Sequence, residues 1–322
     1  MKRRPLHIAG QHMTSESILD RHTGPSTPAR GAQRLEMVDF KHPDRRRQHY
    51  APRACARFTD WLTADSVGAE ILWGETETAA GNALKRLDTG EALTAVDWAA
   101  LRDLAVLHWI RCPYTRNTSE AGWAEAQDEV QAQVQAEVDG AGRAPFEAAV
   151  AGHFGLHVAG PEGRRYFVDR LRAHAEAAHP HSVAMRHTVE GLFRDAKAAV
   201  ASLAPLILTP QDPDDTFVTS DAAAFTISRT GGSPARRIGD PIADAEATIM
   251  PIGARHLLVL SAEPWPAVAS PHLVRSLNLW QALHAYRRVY GVPGGAWARD
   301  VPLWVEARKL RRAPEPDDPA DP

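Results

Sequence analysis

After Pro205 the chain passes through five short stretches rich in β-branched and aromatic residues: Leu206–Leu208, Thr216–Thr219, Ala224–Ile227, Ala247–Met250 and Leu257–Leu260. Each is bounded by Pro, Gly or Asp, and such residues favour a pleated, half-buried surface. No helical pattern separates them, so they predict a small, mainly antiparallel sheet. This is the feature that most limits the fold.

Before Pro205 the texture is helical. Thr94-x-x-Asp97 reads as a capping box, and Trp98, Leu101, Leu104, Ala105, His108 and Trp109 follow on one face, predicting a helix over 94–112 that Pro113 ends. Similar spacing predicts helices over 118–139, from Pro145 onward, over 162–179 and over 181–203, with a shorter one at 78–87 after a turn near Gly74. Cys55, Phe58, Trp61 and Leu62 suggest a short amphipathic helix, and a closing helix is expected over 271–290. Helices first, then strands, then a closing helix is the order of an α+β domain. The expected fold is a mostly helical N-terminal two-thirds packed on that sheet.

Residues 1–41 combine Gly, Pro, Ser, Thr, Gln and His with little apolar periodicity, which predicts a flexible arm. Residues 42–312 then form one domain, and the acidic, Pro-rich stretch 313–322 is expected to be disordered. With 322 residues, 44% of them hydrophobic, the chain can bury a sizeable core. A net charge of −3 gives no strong nucleic-acid signal, so any such contact has to come from a local patch such as Lys41–Arg47. No apolar run is long enough for a membrane, and Lys2-Arg3-Arg4 lacks the apolar segment of a signal peptide. Cys55 and Cys112 read as small core residues of a reducing, cytoplasmic compartment.

Common nucleotide, hydrolase and zinc-protease motifs are absent, and no motif specifies a cofactor. Weaker clusters read best as structural. These are His153 with His157, the histidines at 174, 179, 181 and 187, the acidic turn Asp212/Asp214/Asp215, and tryptophans at helical spacing.

Five blocks, taken in order, resemble the landmarks of the DUF4238 family, a bacterial domain of unknown function. They are Gln48-His49-Tyr50-x-Pro52-Arg53-(x)4-Phe58, Leu107–Pro113, Phe217–Asp221, Met250–Ile252 and Leu277-Asn278-(x)6-Ala285–Tyr290. The resemblance spans about 47–290 and implies a shared fold without an activity. Family members usually carry Arg-Thr-Pro where this chain has Arg111-Cys112-Pro113, and Ser-Asp-Asn-Pro where it has Ser220-Asp221-Ala222-Ala223.

Within these blocks His49 has the chemistry of a general base or metal ligand, Asp221 that of its carboxylate partner, Arg53 and Arg111 that of anion clamps, and Asn278 that of an oriented amide. Two readings follow. In the simpler one the residues cap and pin turns in a non-catalytic ligand-binding or regulatory domain. In the alternative they form a hydrolase site for a small phosphate-bearing or nucleic-acid substrate. A site requires His49, Asp221 and an arginine to converge.

Overall fold

Leu257 to Leu260 alternate between two apolar surfaces, which makes β10 (His256–Ser261) a strand covered on both faces. In this computed structural model, which describes residues 11–24, 34–45, 47–58, 67–115, 183–229 and 236–311 with a few isolated positions between 132 and 169, β10 lies inside a six-stranded sheet. Its neighbours are β5 (Ala204–Pro210) and β9 (Ala247–Gly253), both antiparallel to it. The sheet continues through β7 (Phe225–Arg229) to β8 (Arg236–Ile238) on one side. On the other it ends at the two-residue β11 (Val268–Ala269), which is parallel to β5.

Each face of this sheet has its own cover. Met250, Ile252, Leu258 and Leu260 face three helices, α2 (Val67–Asp88), α3 (Ala95–Ile110) and α4 (Val183–Val200). Phe225, Ile227, Ile249, Leu257 and Val259 face α5 (Pro271–His284), which contributes Val274 and Leu277. The result is three layers, with β9 buried along its whole length. The capping box of α3 forms as its sequence predicts: Thr94 Oγ1 accepts from the Asp97 N–H and Asp97 accepts from the Thr94 N–H.

The N-terminal part departs from expectation. Residues expected as a flexible arm instead form β1 (Gln11–His12), α1 (Glu16–Asp20) and β2 (Leu35–Asp39), with Met13, Ile18, Leu19, Leu35 and Val38 buried. Helices therefore do not fill the first two-thirds. Cys55 and Phe58, expected to open a short amphipathic helix, instead follow a 3-10 turn over Pro52–Ala54 and enter β4 (Arg57–Phe58), with β3 (Gln48–Tyr50) ahead of the turn. β1 pairs with β4 alone, while β3 and β2 join two late strands, β12 (Arg288–Gly291) and β6 (Thr219–Ser220), in a four-stranded antiparallel sheet of order β3-β2-β12-β6. There are thus three sheets among the described residues rather than one. Gly74 is helical, inside α2. Apart from those isolated positions, the stretches 118–139 and 145–181, with Trp123 and the histidines at 153, 157, 174, 179 and 181, lie outside the described residues, as do 1–10 and 312–322.

The expected closing helix stops at His284, because Tyr286 to Gly291 turn away to form β12. Its last carbonyls are not left bare: Arg308, from a further helix α6 (Val301–Arg311), donates to the carbonyls of Ala282, Ala285 and Tyr286 at 2.6, 2.6 and 3.0 Å. The Arg308 guanidinium also lies 4.3 Å from the Phe40 ring centroid, which ties α6 to the loop after β2. Trp304 and Trp297 stack at 6.0 Å beneath α6. Gly291 and Gly295 allow that packing, because a Cβ at either would come within 2.7 or 2.6 Å of the Trp297 ring.

Candidate functional site

β6 ends in the turn that its Ser and Asp specify. Ser220 Oγ accepts the Ala222 N–H, and Gln281 Nε2 donates to the same oxygen at 2.6 Å. Asp221, buried at the end of that strand, accepts the backbone N–H groups of Arg287 and Arg288 on Oδ2 at 2.9 and 2.8 Å. Burial pushes its carboxyl up to about 6 despite those two donors and the charges of Arg308 and Arg288. Asn278, from the middle of α5, clamps the strand upstream: Oδ1 accepts the Val218 N–H at 3.0 Å and Nδ2 donates to the Thr216 carbonyl at 2.8 Å.

Arg111 occupies the C-terminal end of α3. Its Nη1 donates to Glu77 Oε1 at 2.6 Å and its guanidinium packs 4.8 Å from the Trp73 ring centroid. His49 and Arg53 are exposed, on β3 and on the turn that follows it. β3 and β6 are opposite edges of the four-stranded sheet, with β2 and β12 between them. Three strand spacings put His49 at least about 14 Å from Asp221, and the register adds a further offset along the strands. The structure therefore brings Asp221 and Asn278 to the two ends of one strand, and leaves His49, Arg53 and Arg111 elsewhere.

A cluster that sequence reasoning missed links several of these blocks. The segment Met13-Thr14-Ser15 is threaded between α3, β6 and the turn after Pro52. Met13 N–H donates to the Ala56 carbonyl at 2.8 Å, and Thr14 Oγ1 to the Ser220 carbonyl at 2.6 Å. Ser15 Oγ lies 2.6 Å from Glu77 Oε1 and 2.8 Å from His108 Nε2. Burial lowers His108 to about 4, with Arg111 adding to the effect, so the ring is neutral at pH 7. Its Nδ1 is 3.0 Å from the Met13 carbonyl, which requires the proton there and leaves the Nε2 lone pair facing Ser15. One hydroxyl proton is thus shared between two acceptors. Burial works against ionisation of Glu77, yet Arg111, Ser15 and His108 hold its carboxyl below the usual range. The hydroxyl–imidazole pair is that of an activated serine, but Ser15 and His108 are only 2% and 1% exposed. In this conformation it is sealed, and it serves as a polar joint.

The described residues also surround a cavity of about 150 Å³, lined by Asp215, Thr216, Arg275, Asn278, Arg299 and Asp300 over a floor that includes Trp297. The turn that carries Asp215 is held from outside, since Arg255 Nη1 donates to the carbonyls of Asp212, Pro213 and Asp215. Asp215 Oδ2 and Thr216 Oγ1 are buried and have no hydrogen-bond partner among the described residues. Burial, with Asp212 beside it, pushes the Asp215 carboxyl up. Among the described residues no ion pair joins either aspartate of the cavity to either arginine.

Asn278→Ala is expected to cost about 1–3 kcal/mol, because the buried Val218 N–H loses its acceptor. Urea unfolding measures this directly. A cost near zero would mean that Asn278 does not hold the strand.

The arrangement defines a three-layer α+β domain with a polar cavity at one end of α5. The chain belongs to the DUF4238 family of proteins of unknown function, whose model matches residues 63–294. His49 and Arg53 lie just outside that span, whereas Arg111, Asp221 and Asn278 lie inside it. No curated protein and no solved structure matches the chain.

Proposed function

We propose that this is a non-catalytic ligand-binding domain whose cavity takes a small zwitterion, carrying an amine and a carboxylate or phosphate. One observation supports this reading above the others: two arginines and two aspartates line a single cavity without pairing with one another. An anionic group between Arg275 and Arg299 would leave the amine facing Asp215, Asp300 and the Thr216 hydroxyl. That placement satisfies the two buried acceptor atoms left without partners. About 150 Å³ suits a molecule of amino-acid size and is well below the usual 300–1,000 Å³ of drug-sized pockets.

The lining favours binding over catalysis. Among the described residues it holds no histidine, cysteine, serine or lysine, and Thr216 supplies its one hydroxyl, which makes no hydrogen bond to Asp215. The Ser15–His108 pair, which does combine the two, is sealed from solvent.

The test is thermal unfolding of the full chain against a panel of amino acids and amine phosphates, with matched simple anions and amines as controls. A ligand at about a hundred times its Kd is expected to stabilise the fold by about 2.7 kcal/mol. Arg275→Ala combined with Arg299→Ala is expected to abolish that gain while leaving the unliganded melt within a few tenths of a kcal/mol, as both arginines are exposed. Equal stabilisation by the simple anions alone would overturn the zwitterion, and no response to any compound would overturn the binding reading.

A further inference from the structure

We propose that the outer edge of the four-stranded sheet, from Arg34 to Arg57, binds a nucleic-acid backbone. This stretch carries seven Lys or Arg against three Asp or Glu, a net +4 in a chain of net −3, so the remainder carries −7. A nearly neutral total therefore hides a segregated charge.

The acids in the stretch do little to cancel it at the surface. Glu36 is buried, accepting from Arg47 Nη1 at 2.9 Å and from the Gly294 N–H at 2.7 Å. Asp39 is held by the Arg287 guanidinium and the Lys41 N–H, and these donors keep its carboxyl below the ordinary range against the effect of burial. Asp44 is the one exposed acid. Against it stand Arg34, Arg45 and Arg53, all exposed, with Arg47 exposed but already paired with Glu36 and the His49 side chain exposed beside them.

Two of these cations are already aimed. Arg34 Nη1 donates to the His49 carbonyl at 3.2 Å, and Arg47 Nη2 donates to the Ala298 carbonyl at 3.1 Å. The side chains of Arg45, His49 and Arg53 have no partner among the described residues. They are strung along a loop, an edge strand and a turn instead of gathered into a pocket, which meets a row of phosphates better than a single one.

The stretch has no exposed large apolar side chain. Those of the described residues are Val96, Tyr114, Tyr166, Val268, Leu303 and Leu310, all elsewhere. A membrane surface would find charge here but nothing to insert, so the phosphodiester chain is the better fit. Cations flanking an edge strand also discourage it from pairing with other chains; that role by itself confers no affinity, and the experiment separates the two.

Fluorescence anisotropy of the full chain with a labelled single strand of about 20 nucleotides, at about 50 and about 200 mM salt, reads the interaction. Binding is expected at low salt, with affinity falling at least tenfold between the two conditions. Arg45→Glu/Arg53→Glu is expected to melt like the wild type and to bind at least tenfold more weakly, with a salt slope smaller by about 0.7 for each phosphate left without its cation. If the double variant melts early, the single variants Arg45→Ala and Arg53→Ala give the same reading: both lowering affinity and slope supports the surface, and neither doing so overturns it. No binding by the wild type at low salt overturns the proposal. So does retention on phosphatidylserine vesicles without binding to the oligonucleotide.

Discussion

Taken from pH 7 to pH 4, the protein is expected to unfold. His22, His108 and His284 are buried, and burial lowers them to about 4, about 4 and about 3. An unfolded histidine takes up its proton near 6.5, so between 6.5 and 4 the unfolded chain binds more protons than the folded one. Stability therefore rises with pH across that window and is lost on acidification. A tenfold weakening of proton affinity on folding corresponds to about 1.4 kcal/mol, so each histidine accounts for on the order of 3 kcal/mol. Three together are comparable with the 5–15 kcal/mol that holds a whole domain folded.

Asp221 acts in the opposite direction. Its folded value of about 6 lies above the usual 3.8, so between those values the folded chain binds the extra proton and gains stability as pH falls. One such group offsets one histidine and leaves two uncompensated. Urea midpoints followed by tryptophan fluorescence from pH 7.5 to 4.5 check the balance. A midpoint that stays level across that range would show that the three rings are not buried as described. His284→Gln is expected to make the profile shallower, and Asp221→Asn steeper.

Arg111→Ala is expected to cost about 3 kcal/mol, well beyond the typical surface substitution. The arginine is 7% exposed and its partner Glu77 is 30% exposed, so removing the cation leaves a largely desolvated carboxylate facing only Ser15 and, through it, a neutral His108. Its packing against Trp73 disappears as well. Pairing the change with Glu77→Gln removes the stranded charge and is expected to recover more than 1 kcal/mol in a double-mutant cycle. A single-variant cost below about 1 kcal/mol, with additive double-variant behaviour, would return Arg111 to the role of a free anion clamp.

What the sequence disclosed followed from how local each signal is. The capping box of α3 and the strand run Leu257–Leu260 are each written within a few residues, and both form as read. β1, β2, β3 and β4 are two to five residues long and polar in large part, so neither period emerges over 11–58. β1 finds its partner β4 only at the far end of that stretch, and β2 pairs on one side with β3 and on the other with the distant β12. The same distinction divides the site. Asp221 and Asn278 stand in blocks whose composition marks them, although what they hold is backbone. Ser15 meets Glu77 and His108 across 62 and 93 positions, and Arg308 meets the end of α5 from a separate helix, pairings that leave no trace in local spacing. The basic character of 41–47 was legible, but the burial of Glu36 and the engagement of Asp39 that unmask it were not.

The position of β2 has a bearing on how the chain is made in the cell. It lies between β3, formed at once, and β12, whose residues leave the ribosome far later: Asp39 waits for Arg287, 248 positions downstream. Until then one hydrogen-bonding edge of β2 has no partner, and Val38 lacks the buried residues it packs against, all of which lie from Val218 onward. At about 5–20 residues per second that interval is roughly 12–50 seconds. Nascent chains halted before residue 288 are thus expected to engage holdase chaperones through their first fifty residues, and to release them only once translation is complete.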